Sequence, residues 1–185
     1  FSQGVAQQNV DLDLEAFTQA IKDALTNKSE IKLTKSEIKI ILTQYQKKLT
    51  KEKTATANAN KTRGEQFLVE NKKQKGVVEL PSGLQYKIIK EGNGNKPNKD
   101  SSVNVHYHGT FTNGNVFDSS YDRGEPISLS LNQVIKGWQE ALPLMAVGSK
   151  WKIYVPSELA YGEPGRGSIG PNETLVFDIE LLAIN

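Results

Sequence analysis

The sequence predicts an α+β protein: an antiparallel β-sheet wrapped on a short helix, preceded by an all-α N-terminal segment with a long connecting helix. Three observations carry this. Apolar residues recur at helical spacing before residue 50 and take on a strand-like rhythm after Gly76. Almost all aromatic residues fall after residue 84, with only Phe1, Phe17, Tyr45 and Phe67 before it. Several β-rich runs in the second half are interrupted by one short helical run, Gln133 to Ala141, the pattern of a sheet packed on a helix.

The elements follow in order. Residues 13–25 read as an amphipathic helix, with Asp13 as N-cap and Leu14, Phe17, Ile21 and Leu25 on one face. Thr34-Lys35-Ser36-Glu37 then fits a capping box, and Leu33 and Ile38 are placed to form a hydrophobic staple across it. Ile38, Ile41, Leu42, Tyr45 and Leu49 continue an apolar stripe. Beyond Leu49 the stripe fades into Lys, Glu, Thr, Ala, Asn and Gln, as in a solvent-bridging helix or a linker. No proline occurs before Pro81, Phe67 and Leu68 restore apolar anchoring, and Gly76 offers a stop. A continuous helix from Lys35 to Lys75 is therefore expected, even though Gly64 inside it costs about 1 kcal/mol relative to Ala.

After Gly76, strands are expected at Gly83 to Ile89, Val103 to Gly109, Ile127 to Leu129, Trp151 to Val155 and Leu175 to Leu182. Asn113-Gly114 sits where a type I′ hairpin turn belongs. The expected organisation is a helical N-terminal segment at 1–33, a connecting helix at 34–75 and a globular domain at 76–185. The 185 residues suit one domain with an appendage or two small domains, and the 37% hydrophobic content is enough for a modest core.

The net charge of +2 hides a segregation: residues 1–27 carry −3, 28–75 carry +8 and 76–185 carry −3. The basic middle contains only Tyr45 and Phe67 as aromatics and scatters its lysines around the helix, so it reads as a solvated helix surface, not a nucleic-acid site. The absence of cysteine excludes a disulfide framework and a thiol nucleophile. No apolar run approaches the roughly 20 residues that cross a bilayer as a helix. Beginning at Phe1 without an initiator Met, the chain reads as a processed or truncated product.

Most motif-like features have ordinary readings. Gly165-Arg166-Gly167-Ser168-Ile169-Gly170 spells a dinucleotide fingerprint, but Pro171 and a β-rich run follow it where a helix is needed to meet the pyrophosphate. His106 and His108, the two histidines, share one strand face, and no further His or Cys is present to complete a zinc site with them. If both face outward, Tyr107 faces inward. An inward Tyr107 with Phe117, Trp138, Tyr161 and Phe177 is either plain core or an aromatic concavity for a small ligand. Buried Tyr hydroxyls and Trp N–H groups need partners, and Asp118 beside Phe117 is a polar oddity at an apolar cluster.

The series Val105-His106-Tyr107-His108-Gly109, Gly114-Asn115-Val116-Phe117-Asp118-Ser119-Ser120, Val134-Ile135-Lys136-Gly137-Trp138, Pro156-Ser157-Glu158-Leu159-Ala160-Tyr161-Gly162 and Thr174 to Leu181 resembles, in order and spacing, the FKBP family of peptidyl-prolyl cis-trans isomerases. Gly76 to Lys87 and Gly170 to Leu175 resemble its macrophage infectivity potentiator (MIP) branch, and Asp11 to Phe17 and the Thr34 capping box fit the helical module of that branch. The resemblance implies a sheet curled around one short helix, with a pocket between them. It implies catalytic roles for Asp118, Tyr161, Tyr107 and Phe177, and substrate-binding roles for Phe117, Arg123, Ile127, Val134, Ile135, Trp138 and Ile169. Trp138 would form the floor. Asp118 would order the pocket and pair with Arg123, while the Tyr161 hydroxyl and the Ile135 N–H would donate to substrate carbonyls. Ile127 stands at a wall position that is aromatic in some relatives, which predicts a looser rim.

No cofactor or metal is implied. The implied partners are proline-containing polypeptide clients and macrolide inhibitors such as rapamycin, together with a second copy of the chain through the N-terminal helices. The implied location is periplasmic or on the outer membrane or cell surface of a bacterium, after removal of a signal peptide. The rival reading is a chaperone or binding module that uses the same fold and its helical arms to hold unfolded chains.

Overall fold

The computed structural model describes the chain from residue 35 onward, with side chains from residue 43. The helix expected at 13–25 and the Thr34 capping box with its Leu33–Ile38 staple lie outside the described residues. The chain divides into two compact units, residues 1–49 and 50–185, and the first described helix, α1 (Lys35–Asn71), runs through the division.

Seven strands follow: β1 (Val77–Glu79), β2 (Gln85–Lys90), β3 (Ser102–Phe111), β4 (Val116–Ser119), β5 (Ile127–Ser130), β6 (Lys150–Val155) and β7 (Leu175–Ile184). They form one antiparallel sheet in the order β1-β2-β6-β7-β3-β4, with β5 also paired to β3. Its concave face packs on the short helix α2 (Lys136–Ala141), which contributes Trp138 and Ala141 to a core with Val105, Tyr107, Met145, Ile153, Phe177, Ile179 and Leu181.

β3 follows the alternation expected of a half-buried strand. Val103, Val105, Tyr107 and Gly109 are buried, while Asn104, His106 and His108 are partly exposed on the other face. The β3–β4 connection corrects an expectation. Type I′ needs positive φ at both central residues, yet Asn113 does not adopt it: among described non-glycine residues only Asn172 does. Gly114 alone takes the left-handed conformation, at φ 88°, and donates to the Phe111 carbonyl at 3.0 Å. The Phe111 N–H donates to Asn115 O at 2.9 Å, closing a three-residue loop with a glycine bulge.

Two further boundaries differ from expectation. The helix expected over Gln133 to Ala141 is split into a 3₁₀ turn (Leu131–Gln133) and α2, because Val134 and Ile135 are extended, with ψ of 173° and 150°. Helix α1 ends at Asn71, not Lys75, and residues 72–76 form turns leading into β1. After Lys72 the backbone tightens, with Lys73 N–H to Glu70 O at 3.2 Å and Gln74 N–H to Asn71 O at 3.0 Å, and a buried amide pair anchors the helix end. Asn71 Nδ2 donates to Gln85 Oε1 at 2.8 Å, and Gln85 Nε2 donates to Leu68 O at 2.9 Å and Glu79 Oε1 at 3.0 Å. This ties the helix end to β1 and β2.

The polar stretch after Leu49 is helical, and its second half is docked. Ala57, Asn60, Gly64, Phe67 and Asn71 recur at helical spacing and face the domain. Asn60 Nδ2 donates to Pro171 O at 2.8 Å, Arg63 bonds both carboxylate oxygens of Glu173 at 3.1 Å, and Phe67 packs on Tyr154 with centroids 6.0 Å apart. A Cβ on Gly64 would stand 2.2 Å from Thr174 Oγ1 and 3.0 Å from Thr174 Cβ, so turning the hydroxyl alone does not clear it. In a free helix Gly64→Ala would stabilise by about 1 kcal/mol. Here it is expected to destabilise by about 1–3 kcal/mol through overpacking, read as a lowered urea midpoint; a raised midpoint would show that the helix is not seated on Thr174.

Candidate active site

The site lies between the concave face of the sheet and the segment that enters α2. Inward alternation places Tyr107 on β3 and Phe177 on β7, and β4 supplies Phe117 and Asp118. The extended Val134-Ile135 segment and Trp138 of α2 close one side, and Tyr161 follows the 3₁₀ turn Ser157–Leu159. Together with Ile127, Leu129, Gln133 and Arg166 they line a cleft of about 160 Å³. Pockets that enclose a drug-sized ligand run to roughly 300–1,000 Å³, so this one suits a single small apolar ring, with the rest of the bound molecule left outside.

Trp138 is the aromatic hub. Its ring meets Tyr107 edge-on at 5.4 Å and Phe177 at 5.3 Å, and Phe177 meets Phe117 edge-on at 5.6 Å. These are the perpendicular arrangements that aromatic quadrupoles favour. They fix the walls without filling the space between them. The indole Nε1 is buried without a hydrogen-bond partner among the described residues.

A three-membered polar network backs the aromatic wall. The Tyr107 hydroxyl donates to Asp118 Oδ2, Arg123 Nη1 donates to Asp118 Oδ1, and Arg123 Nη2 donates to the Tyr107 hydroxyl at 2.8 Å. The guanidinium also lies 5.5 Å from the Tyr107 ring centroid. Burial pushes the Asp118 carboxyl upward, but the hydrogen bonds from Tyr107 and Arg123 outweigh it and hold its pKa below the ordinary value. Burial, then the bond to Asp118, raises the Tyr107 hydroxyl. The bonds to Tyr107 and Asp118 raise the Arg123 guanidinium. At neutral pH the network is therefore a carboxylate, a guanidinium and a neutral phenol.

The sequence expectations meet this geometry unevenly. Tyr107, Phe117, Asp118, Ile127, Val134, Ile135, Trp138, Tyr161 and Phe177 all line the cleft. Arg123 stands behind the wall, on Asp118 and Tyr107. Ile169 belongs to the packed core and is absent from the cleft lining; its backbone closes the 166–169 turn, donating to Arg166 O at 2.9 Å. Leu129, Gln133 and Arg166 are lining residues that sequence reasoning missed. Leu129 was recoverable from its period-two relation to Ile127, whereas Arg166, 5.7 Å from the Tyr161 ring centroid, sits in a loop without any pattern.

Two donors are left open at the cleft. Neither the Tyr161 hydroxyl nor the Ile135 N–H makes a hydrogen bond among the described residues. The segment carrying the second is held from behind, where Gln139 Nε2 donates to Val134 O at 2.7 Å. Among the described residues no three His, Cys, Asp or Glu side chains group as a metal site. His106 and His108 lie on the outer face of β3, and the glycine-rich 165–170 loop runs through Pro171 to β7 without an intervening helix.

The lowered Asp118 pKa has a consequence for stability. A carboxylate below its ordinary value of about 3.9 stabilises the fold above that pH and loses the contribution as pH falls through the lowered folded value. The unfolding free energy of the wild type is expected to decline more steeply than that of Asp118→Asn below about pH 4, measured by urea denaturation across a pH series. Parallel curves for the two proteins would contradict an ionised, paired Asp118.

Comparison with known proteins agrees with the geometry. Residues 93–182 match the model of the FKBP-type peptidyl-prolyl cis-trans isomerase, and residues 1–88 match that of the domain amino terminal to it. The chain is 48% identical over 179 residues to the FKBP-type peptidyl-prolyl cis-trans isomerase FkpA of Aeromonas hydrophila, covering 95% of this chain and 66% of the relative. It is 43% identical over 182 residues to the outer membrane protein MIP of Legionella longbeachae, covering 96% and 78%. The crystal structure of FkpA from Escherichia coli superposes with a TM-score of 0.77 at 36% identity, covering 99% of this chain and 87% of that one. With the sheet, the short helix and the aromatic cleft already in place, these matches mean that the chain belongs to the FKBP-type peptidyl-prolyl cis-trans isomerase family.

Proposed function

We propose that this chain accelerates rotation about X–Pro bonds in polypeptide clients and so assists their folding, with the aromatic cleft as its active site. The observation that supports this best is the pairing of a ring-sized apolar cleft with two open donors, Tyr161 hydroxyl and Ile135 N–H, at its rim. The barrier to rotation is about 18–20 kcal/mol because twisting breaks amide resonance. No bond to a heavy atom is made or broken, so neither a nucleophile nor a proton carrier is required. The proline ring enters against Trp138, and the walls of Tyr107, Phe117 and Phe177 strip water from the amide. The two donors hold the flanking carbonyls. A twisted amide, whose carbonyl is less conjugated and less dependent on water, is bound better than either planar isomer, and this differential binding lowers the barrier. Asp118 and Arg123 keep the Tyr107 wall in place.

Within this reading, residues 76–185 together with the docked end of α1 form the isomerase domain, the earlier part of α1 is the connection, and residues 1–33 are the segment through which two copies pair. A periplasmic or outer-membrane location is consistent with the name of the Legionella longbeachae relative.

The test is the cis-to-trans relaxation of a Leu-Pro-Phe peptide with and without rapamycin, as a macrolide probe of the cleft. The expected result is acceleration that rapamycin abolishes. Asp118→Val and Tyr161→Phe are expected to lower kcat/KM about tenfold each, equivalent to about 1.4 kcal/mol of transition-state stabilisation. A folded protein that leaves the relaxation unchanged would sink this reading.

A further inference from the structure

Arg123 reaches Asp118 and Tyr107, behind the cleft wall, from a loop that crosses the edge of β3, and the other face of the sheet holds that loop. β4 pairs His108 with Ser119, and the chain then continues along β3. The Ser120 N–H donates to Tyr107 O at 2.9 Å, and the Tyr107 N–H donates to Ser120 Oγ at 2.8 Å. The next residue, Tyr121, lies on the outer face, where its ring stacks on His106 at 4.5 Å and 13°. A turn closed by Gly124 N–H to Tyr121 O at 3.0 Å brings Arg123 back to Asp118 and Tyr107. The loop thus straddles β3, with Tyr121 on one face and Arg123 bound to the inward-facing groups on the other.

The outer seat spans three strands. His106 on β3, Glu180 on β7 and Lys150 on β6 are in register across the sheet. Tyr121 covers this row: its ring lies on His106, its hydroxyl donates to Glu180 Oε2 at 3.3 Å, and Lys150 Nζ stands 5.7 Å from its ring centroid. His106 is tied to the same loop a second time, through Nδ1 to Ser120 Oγ at 2.9 Å. Ser120 is fully buried, and its hydroxyl can donate or accept. Its single proton also reaches Tyr107 O at 3.1 Å, so with that bond made the hydroxyl accepts from His106 Nδ1–H.

We propose that Tyr121 and His106 are positioning residues for the isomerase site, clasping the 119–124 loop to the outside of β3 so that Arg123 holds Asp118 and Tyr107 on the inside. Neither touches the cleft. They act through Arg123, and the inference rests on the cleft being the active site as proposed above. The loop has few other restraints: Gly124 has nothing within 4 Å of the place a Cβ would occupy, and the Asp122 N–H reaches Ser119 Oγ only at 3.4 Å. Without its outer anchor the loop would still be closed by its turn, but the guanidinium would sample many positions instead of one.

The experiment is a double-mutant cycle between Tyr121 and Arg123, read by kcat/KM on the Leu-Pro-Phe peptide and by the Arg123 Nε–H resonance in NMR. Tyr121→Ala is expected to lower kcat/KM about fivefold, and Tyr121→Phe, which keeps the stacked ring, to restore it to within about twofold of wild type. Arg123→Ala is expected to lower it at least as far, and the double variant no further than Arg123→Ala alone. The Nε–H resonance should be sharp in the wild type and in Tyr121→Phe, and exchange-broadened or lost in Tyr121→Ala. Losses that multiply in the double variant, or a Tyr121→Ala protein that is less stable yet fully active, would overturn the proposal. His106→Ala repeats the test from the other half of the clasp should Tyr121→Ala fail to fold. An inactive wild type would defeat the active-site reading itself, while the resonance would still report whether Tyr121 orders Arg123.

Discussion

Strand β3 is the constraint on which the rest depends. It pairs with β7 along nearly its whole length on one edge, and with β5 and then β4 on the other. A slip of one residue would exchange its two faces. It would turn Tyr107 out to solvent, bury His106 and His108, and shift the strands registered to it. The core side of β3, with Val103, Val105 and Tyr107, gains apolar burial only in the observed register. The register that buries Val103 and Val105 is thus also the one that places the Tyr107 hydroxyl at the cleft.

The polar network behind the cleft is better understood as geometry than as a source of stability. Asp118 and Arg123 side chains are each 43% exposed, and pairs so open to water contribute about 0–1 kcal/mol. Their value is directional. Asp118 offers two oxygens, one to the Tyr107 hydroxyl and one to the guanidinium, while Arg123 closes the triangle. A guanidinium is planar and permanently charged, so the triangle persists wherever the carboxylate is ionised and the phenol still carries its proton. The same triangle holds the Tyr107 ring edge-on to Trp138. If the cleft is the active site as proposed, a wall fixed by such a network is the kind of preorganised surface that can favour one amide geometry over another without covalent chemistry.

Much of this was legible in the sequence, and the failures have definite causes. Alternation in Val103 to Gly109 located β3 and its inward tyrosine, because apolar burial on one face imposes period two. Nine of the proposed site residues line one cleft because the residues that form it are also those the core pattern exposes to view. Ile169 packs in the core and is not among the cleft-lining residues; an isoleucine in a loop looks the same in sequence in either place. Asn113-Gly114 misled because the dipeptide fits two turns, and a bulge between Gly109 and Thr110 selected the longer one. β1 was missed as a strand because three residues carry too little pattern.

The docked half of α1 was the deepest omission, and it bears on how the domain is bounded. Its contact stripe of Ala57, Asn60, Gly64, Phe67 and Asn71 is mostly small or polar, so a search for apolar periodicity sees a solvated rod. Small residues let the helix backbone approach Thr174, and the amides then replace water for the carbonyl of Pro171 and the side chain of Gln85. Hydrogen bonds of this kind each contribute only about 0.5–1.5 kcal/mol net, but removing one partner leaves a buried amide unsatisfied at greater cost. The interface is therefore sensitive to loss of a single amide partner. The end of α1 from Ala57 onward is energetically part of the catalytic domain, and the segment that connects it to the first compact unit lies nearer the N-terminus than residue 75.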